Sequence, residues 1–245
     1  MEHHNNEMES RLLKILDAKT YSIAEASRLT GLHVRRVSRW LQGYSYVYEV
    51  NPEIMKLGEQ KPVIQRVSTK GTTYASFLDL IDLLFVKQFL EQGLPLQKVR
   101  KALDEAIELL GTNHFARETF FTDGHNIYLE IVKANSNSDE GILQLMTGGQ
   151  WTIAPIIMKL SKRIDFHEST GFARRWYPLG RNGLVIIDPT ISFGRPSIVN
   201  RGVTTENIYE FYIGEEKDIE QVCRWMVLKP QEVHAAVDFE LQKAA

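Results

Sequence analysis

The stretch "SIAEASRLTGLHVRRVSRW", residues 22–40, constrains the chain more than any other. Ser22 is a strong helix N-cap, and Glu25 three residues on completes a capping box, so a helix is predicted to start there. It should bury Ile23, Ala26 and Leu29 and stop at Gly31, which tolerates a left-handed turn. A second helix is predicted from about His33 to Gln42, with Val34, Val37 and Leu41 turned inward. On a 3.6-residue period Arg35, Arg39 and Gln42 then share the outer stripe, flanked by Arg36 and Ser38. Guanidinium forks match guanine edges and phosphate oxygens, so this face has the chemistry of a DNA recognition helix. The same pattern also suits a solvated basic face on an ordinary helix pair. The flanking sequence weighs toward DNA.

The chain as a whole is not basic: 29 Lys+Arg stand against 31 Asp+Glu over 245 residues. The balance is segregated, however. Residues 11–70 hold 11 basic and 5 acidic side chains, residues 159–201 hold 8 and 3, and residues 206–245 hold 4 and 9. Separate modules with separate partners produce such a division, and the length favours two domains. A single cysteine, Cys223, excludes an internal disulfide and argues against a Cys-based metal site. The polar, acidic start and the lack of a long apolar run point to a soluble cytoplasmic protein, not a secreted or membrane one.

Beyond the first helix pair, Pro62 to Val67 and Thr72 to Tyr74 are short β-branched runs around Ser68-Thr69-Lys70-Gly71, which reads as a hairpin. Ser76 with Asp79 caps an amphipathic helix that Gly93 and Pro95 close. A further helix runs to about Leu110, burying Val99, Leu103, Ile107 and Leu110. Two short helices, a β wing and a helix pair joined by "EQGLPLQKV" resemble the MerR-type winged helix-turn-helix, over residues 20–110. The resemblance implies that the second helix enters the major groove. It also casts Arg66 and Lys70 in the wing as phosphate contacts. The long dimerising helix of that family is absent, because Gly111 ends the pattern.

"ETFFTDGHNIYLEIV" alternates aromatic and β-branched residues around Asp123-Gly124, a second hairpin signal, and "KANSNSDEG" is a polar break. "GFARRWYPLG" has no clear period and packs Arg174, Arg175, Trp176 and Tyr177 between glycines. The end of the chain opens with short extended pieces, then three helices: Thr205 to Tyr212, Lys217 to Trp225, and Pro230 to about Gln242. Gly194, Arg195, Pro196 and Ile198, followed by Gly214, Ile219, Glu220 and Val222, resemble the G-R-P signature of a small helical domain found in prokaryotic antitoxins. With a MerR-like head, the arrangement is similar to VapB-type antitoxins, partners of PIN-domain ribonucleases. The resemblance implies an autorepressor that binds operator DNA and neutralises such a ribonuclease toxin. The last helix carries Gln231, Glu232, Asp238 and Glu240, the wrong sign for phosphate, so this module is expected to make protein contacts, including a homodimer or higher hetero-oligomer.

The expected architecture is therefore mainly α with small β elements (α+β). Residues 1–18 form a tail or helix, 19–133 a winged helix-turn-helix domain, 134–182 a linker with an irregular partner-contact segment, and 183–245 the small helical domain. An enzyme is not expected. The seven histidines show no metal-ligand spacing, Cys223 sits beside Val222 on an apolar helix face, and the pair His167 and Glu168 is commonplace. No catalytic residue, metal or cofactor is assigned. The PIN active site is a cluster of carboxylates, and Arg174 and Arg175 could satisfy them bidentately while Trp176 and Tyr177 anchor the loop. The alternative reading is a stand-alone MerR-like regulator whose C-terminal part senses a ligand or dimerises.

Overall fold

A computed structural model describes residues 10–18, 20–51, 54–65, 74–91, 93–110, 114, 116 and 159–244. It is α+β, mainly helical, with four two-stranded antiparallel sheets among the described residues. The chain divides into two compact units, Asp17–Met158 and Met1–Leu16 with Lys159–Ala245.

In the first unit β1 (Tyr21–Ser22) leads into α1 (Ile23–Thr30) and then α2 (Val34–Gln42). The capping box forms as read: Glu25 N–H donates to Ser22 Oγ at 3.1 Å, and Ser22 N–H donates to the Glu25 carboxylate at 2.8 Å. Gly31 closes α1 at φ 65°. Ala26, Val37 and Leu41 are buried as expected, while Ile23 and Leu29 are half-buried. Val34 differs, lying 43% exposed in the first turn of α2. Trp40 takes its place, giving a buried stripe of Val37, Trp40 and Leu41 at i, i+3, i+4.

Of the hairpin expected over residues 62–74, residues 66–73 lie outside the described residues, and residues 62–65 form no strand. A long ribbon that the sequence did not announce, β2 (Tyr44–Asn51) with β3 (Ile54–Gln60), follows α2 directly. Its tyrosines and valines are strong strand formers, but apolar residues occupy both faces, so no clean alternation announces it. Gly43 makes the junction. Its φ is 73°, and a Cβ there would lie 2.4 Å from the Gln60 carbonyl oxygen. The chain then returns to α2, with Val63 and Ile64 N–H groups donating to the Trp40 carbonyl at 2.8 and 3.0 Å. Tyr74, expected in the hairpin, forms β4 with Ala75 and pairs with β1 in the register Tyr21↔Ala75.

Helix α3 (Phe77–Glu91) starts at the predicted Ser76–Asp79 box, with Ser76 N–H donating to Asp79 Oδ2 at 2.7 Å. It is not amphipathic. Every residue from Phe77 to Val86 is buried, including Asp79 and Asp82, so α3 is the central helix of the unit. Helix α4 (Leu96–Leu110) buries Val99 and Leu103 as expected; the side chains of Ile107 and Leu110, like the hairpin read at residues 118–132, lie outside the described residues.

In the second unit β5 (Ile164–Phe166) pairs with β6 (Ala173–Trp176), and a bridge from Trp176 to Ile187 continues to β7 (Val185–Ile186), which pairs with β8 (Ser197–Ile198). Residues 159–182 are thus built into this unit; the expected linker and irregular segment does not extend through them. Three helices follow, α5 (Thr205–Gly214), α6 (Ile219–Met226) and α7 (Pro230–Ala244), within two residues of their predicted ends. The G-R-P turn joins sheet to helices: Gly194 is at φ 77°, the Pro196 carbonyl accepts from Thr205 N–H at 2.9 Å, and Ile198 is fully buried.

Candidate functional site

Helix α2 buries one stripe against α1 and α3, and this fixes what it presents outward. Arg35, Arg36, Arg39 and Gln42 are exposed and Ser38 is half-buried, as the helical period required. His33 caps the helix, its Nδ1 accepting from Arg35 N–H at 3.2 Å. Two of the guanidinium groups are held over rings: Arg36 lies 5.7 Å from the Trp40 centroid and Arg39 4.5 Å from that of Tyr44. Stacking restrains these side chains without using their N–H donors, which lowers the entropy lost on contact with a ligand. Ser38 Oγ donates to Gln42 Oε1 at 3.1 Å. Arg66 and Lys70 lie outside the described residues.

A second row of cations lies beside α2, without a local signal in the sequence. A groove of about 800 Å³ runs along this helix, and Gln97, Arg100 and Lys101 of α4 line it together with Arg35, Arg36 and Arg39. Arg100 is anchored by the Lys61 and Pro62 carbonyls at 2.6 and 3.0 Å. Burial lowers its pKa, an effect that Tyr44 and Asp104 partly oppose. Some sixty residues separate α2 from Arg100, and no local pattern links them.

In the same unit Asp79, Asp82 and His114 each bring one potential ligand atom within 4.8 Å of the others. His114 Nδ1 lies 2.7 Å from Asp82 Oδ2, and Nε2 lies 3.7 Å from Asp17 Oδ1. Burial pushes the imidazolium pKa down, but Asp82, the hydrogen bond to Asp17 and the field of Asp79 outweigh it and raise it to about 10. The cluster is therefore an ion pair centred on a protonated imidazole, and it compensates carboxylates that α3 carries into the core. His114 is 32 residues from Asp82, which is why spacing along the sequence could not reveal it.

The arginine segment of the second unit is arranged differently from expectation. "ARRW" is strand β6. Trp176 is 4% and Tyr177 8% exposed, so both belong to the core and neither is an exposed anchor. Arg175 donates from Nε to Asp188 Oδ2 at 3.0 Å, and the buried Asp188 also accepts from Thr190 N–H at 2.9 Å. Tyr177 OH donates to Asp165 Oδ2 at 2.8 Å, and Arg181 reaches Asp165 Oδ1 at 2.7 Å. Arg174 alone of the four points its strand position outward. The register pairs Phe166 with Ala173 and Asp165 with Arg175, so Arg174 is the extra residue of a bulge, and this lets Ala173 and Trp176 both be buried although they are three residues apart.

The acidic groups on α7 are likewise partly internal. Glu232 is paired with Arg201 Nε at 2.9 Å and accepts from Lys229 N–H at 2.7 Å; Glu240 accepts from the Thr205 hydroxyl. Cys223 is half-buried, and burial, then Glu220 and Glu232, raise its thiol pKa, which keeps it a poor nucleophile.

No protein-family model matches this chain. A Mycobacterium tuberculosis protein that carries the provisional name antitoxin VapB45 is 23% identical over 199 residues, covering 78% of this chain and 82% of its own. The chain has a distant relative named as a VapB antitoxin. The crystal structure of Rv2018, also from Mycobacterium tuberculosis, superposes with a TM-score of 0.67 at 19% identity, over 91% of this chain and 99% of that one. That similarity establishes a shared fold. Among the described residues, no helix is long and apolar enough to cross a membrane.

Proposed function

We propose that this protein is the antitoxin of a toxin–antitoxin pair, that it binds operator DNA to repress its own transcription, and that it neutralises a PIN-domain ribonuclease. The observation that carries the DNA half is the outer face of α2, where Arg35, Arg36 and Arg39 are exposed and the neighbouring groove adds Arg100 and Lys101. In this reading Arg35 and Arg39 face base edges, and Arg36, Arg100 and Lys101 face phosphates, which makes binding strongly dependent on salt. The toxin half rests on the likeness to a relative named as a VapB antitoxin over most of both chains. Within the arginine segment, Arg174 is the side chain left to reach a partner's carboxylates, and Arg175 holds Asp188.

The test has two arms. Gel shifts on the promoter region with Arg35→Ala/Arg39→Ala should lose on the order of 1–3 kcal/mol per arginine, and Lys101→Ala should lower the salt slope by about one unit. Unchanged affinity in the double variant refutes the DNA assignment. Co-expression with the product of the adjacent gene should yield a complex in which ribonuclease activity is silent. If the adjacent product is not a nuclease, or stays active in the complex, the antitoxin assignment falls.

A further inference from the structure

The ribbon β2–β3 has two chemically different faces. Residues opposite one another in an antiparallel pair share a face. The register Tyr44↔Gln60, Tyr46↔Gly58 and Tyr48↔Lys56 therefore puts three tyrosines, a glutamine and a lysine on one side. Glu49 and Glu59, the two carboxylates of these strands, stand on the other side with Val47, Met55 and Leu57. The tyrosine side also continues the basic surface of α2. Arg39 lies 4.5 Å from the Tyr44 centroid, and Tyr44 and Gln60 line the groove shared by Arg35, Arg36, Arg100 and Lys101. The three rings form a ladder with centroids 6.0 and 5.9 Å apart, and they belong to side chains 38%, 44% and 44% exposed. The middle ring lies flat. A Cβ on Gly58 would stand 2.6 Å from Tyr46 Cζ and 2.9 and 3.0 Å from the two flanking Cε atoms. Distances shortest at one atom, and only slightly longer at both of its neighbours, describe an approach along the ring normal. One face of the ring thus packs on the bare Gly58 backbone, which stabilises the ribbon, and the other face is turned to solvent.

We infer that the tyrosine face is a platform for single-stranded RNA, on which Tyr46 and Tyr48 stack against unpaired bases and Lys56 meets a phosphate. Ring orientation selects an unpaired strand. A flat ring offers its π-face, which only an unstacked base can cover, whereas the bases of a duplex cover one another and are read at their edges. Spacing agrees: rings about 6 Å apart are wider than the roughly 3.4 Å rise of stacked bases, so bases seated on successive rings must be splayed. Charge suits a polyanion, since both glutamates are on the far side and the arginines of α2 lie at the ladder's base. A protein partner is disfavoured on this side, because it would have to bury three phenol hydroxyls and the Lys56 ammonium; the apolar side of the ribbon is the other one. Operator DNA is paired, and loops and ends of RNA are where unstacked bases are met, so the occupant is RNA. The platform is separate from the operator face proposed for α2 and stands without it.

The experiment uses the full chain and a fluorescein-labelled uridine decamer, followed by fluorescence anisotropy. Wild type should bind the RNA. Tyr46→Ile/Tyr48→Ile keeps strand-forming side chains but removes both rings, and it should bind at least about tenfold more weakly. Tyr46→Phe/Tyr48→Phe keeps the ring faces and should bind like wild type, which separates stacking from a role of the hydroxyls. Affinity of the isoleucine variant for the duplex promoter region should be unchanged. Hydrogen exchange of wild type should show residues 44–60 protected on adding the decamer, and this decides the matter should the isoleucine variant misfold. Absence of RNA binding in wild type, full affinity without the rings, or loss of affinity in the phenylalanine variant overturns the inference. Equal loss of duplex and RNA binding in the isoleucine variant also overturns it and assigns the ribbon to the operator. So does binding of a single-stranded DNA decamer but not of RNA, or protection that appears with the co-expressed partner protein alone. Arg35→Ala/Arg39→Ala tests the operator reading separately, since the dependence of RNA affinity on the rings at positions 46 and 48 should persist in it.

Discussion

His114 is one half of an ion pair whose other half, Asp82, has no solvent exposure. Because its pKa is raised in the folded state from 6.5 to about 10, folding favours the protonated form. The stabilisation is fully present below about pH 6.5 and is lost progressively as pH rises toward about 10. Urea midpoints measured across that window should fall in wild type, and much less in His114→Ala. At neutral pH the substitution should cost about 3–5 kcal/mol, because it leaves a buried carboxylate uncompensated. The two arginines of β6 offer a parallel contrast. Arg175→Ala strands Asp188, which is 1% exposed, and should cost a similar about 3–5 kcal/mol; Arg174→Ala should stay within about 0.5 kcal/mol of wild type. Equal costs for the two variants in denaturant melts would contradict the exposed, bulged position on which the assignment of Arg174 rests.

At the scale of elements, what the sequence displayed was local chemistry. The boxes at Ser22–Glu25 and Ser76–Asp79, and the starts of α5, α6 and α7, are set by side chains within three residues of the backbone groups they satisfy, so a short window suffices. The outer face of α2 was legible for the same reason. The ribbon was not, because apolar residues on both of its faces erase the period-2 signal that one buried face creates. Nor was the burial of α3, whose surroundings depend on the packing of residues far along the chain. Trp176 and Tyr177 beside two arginines looked like a contact loop, and only the pairing of β6 with β5 turned them inward. The junction at Gly43 gives this scale its test. Gly43→Ala meets both a positive φ and the Gln60 carbonyl, so it should destabilise by at least about 1–3 kcal/mol. It should also disturb the ribbon while leaving helix content by circular dichroism unchanged. A neutral effect would mean that the ribbon is not held at its base.

At the scale of the whole molecule, each of the two units has its own buried charge cluster, Asp82–His114 in Asp17–Met158 and Arg175–Asp188 in the other. Units with separate cores are expected to unfold in separate steps, and substitutions far apart with no shared partner should act independently. Calorimetry should therefore resolve two transitions. His114→Ala should lower one of them, and raising the pH from about 6.5 toward about 10 should move that same transition. Arg175→Ala should lower the other and leave the first in place. The pH dependence supplies an internal label, since it assigns each transition to its unit without cutting the chain. A single transition shifted by both substitutions would show that the two clusters stabilise one cooperative body, and the proposed division into a DNA-facing and a partner-facing module would then rest on surface charge alone.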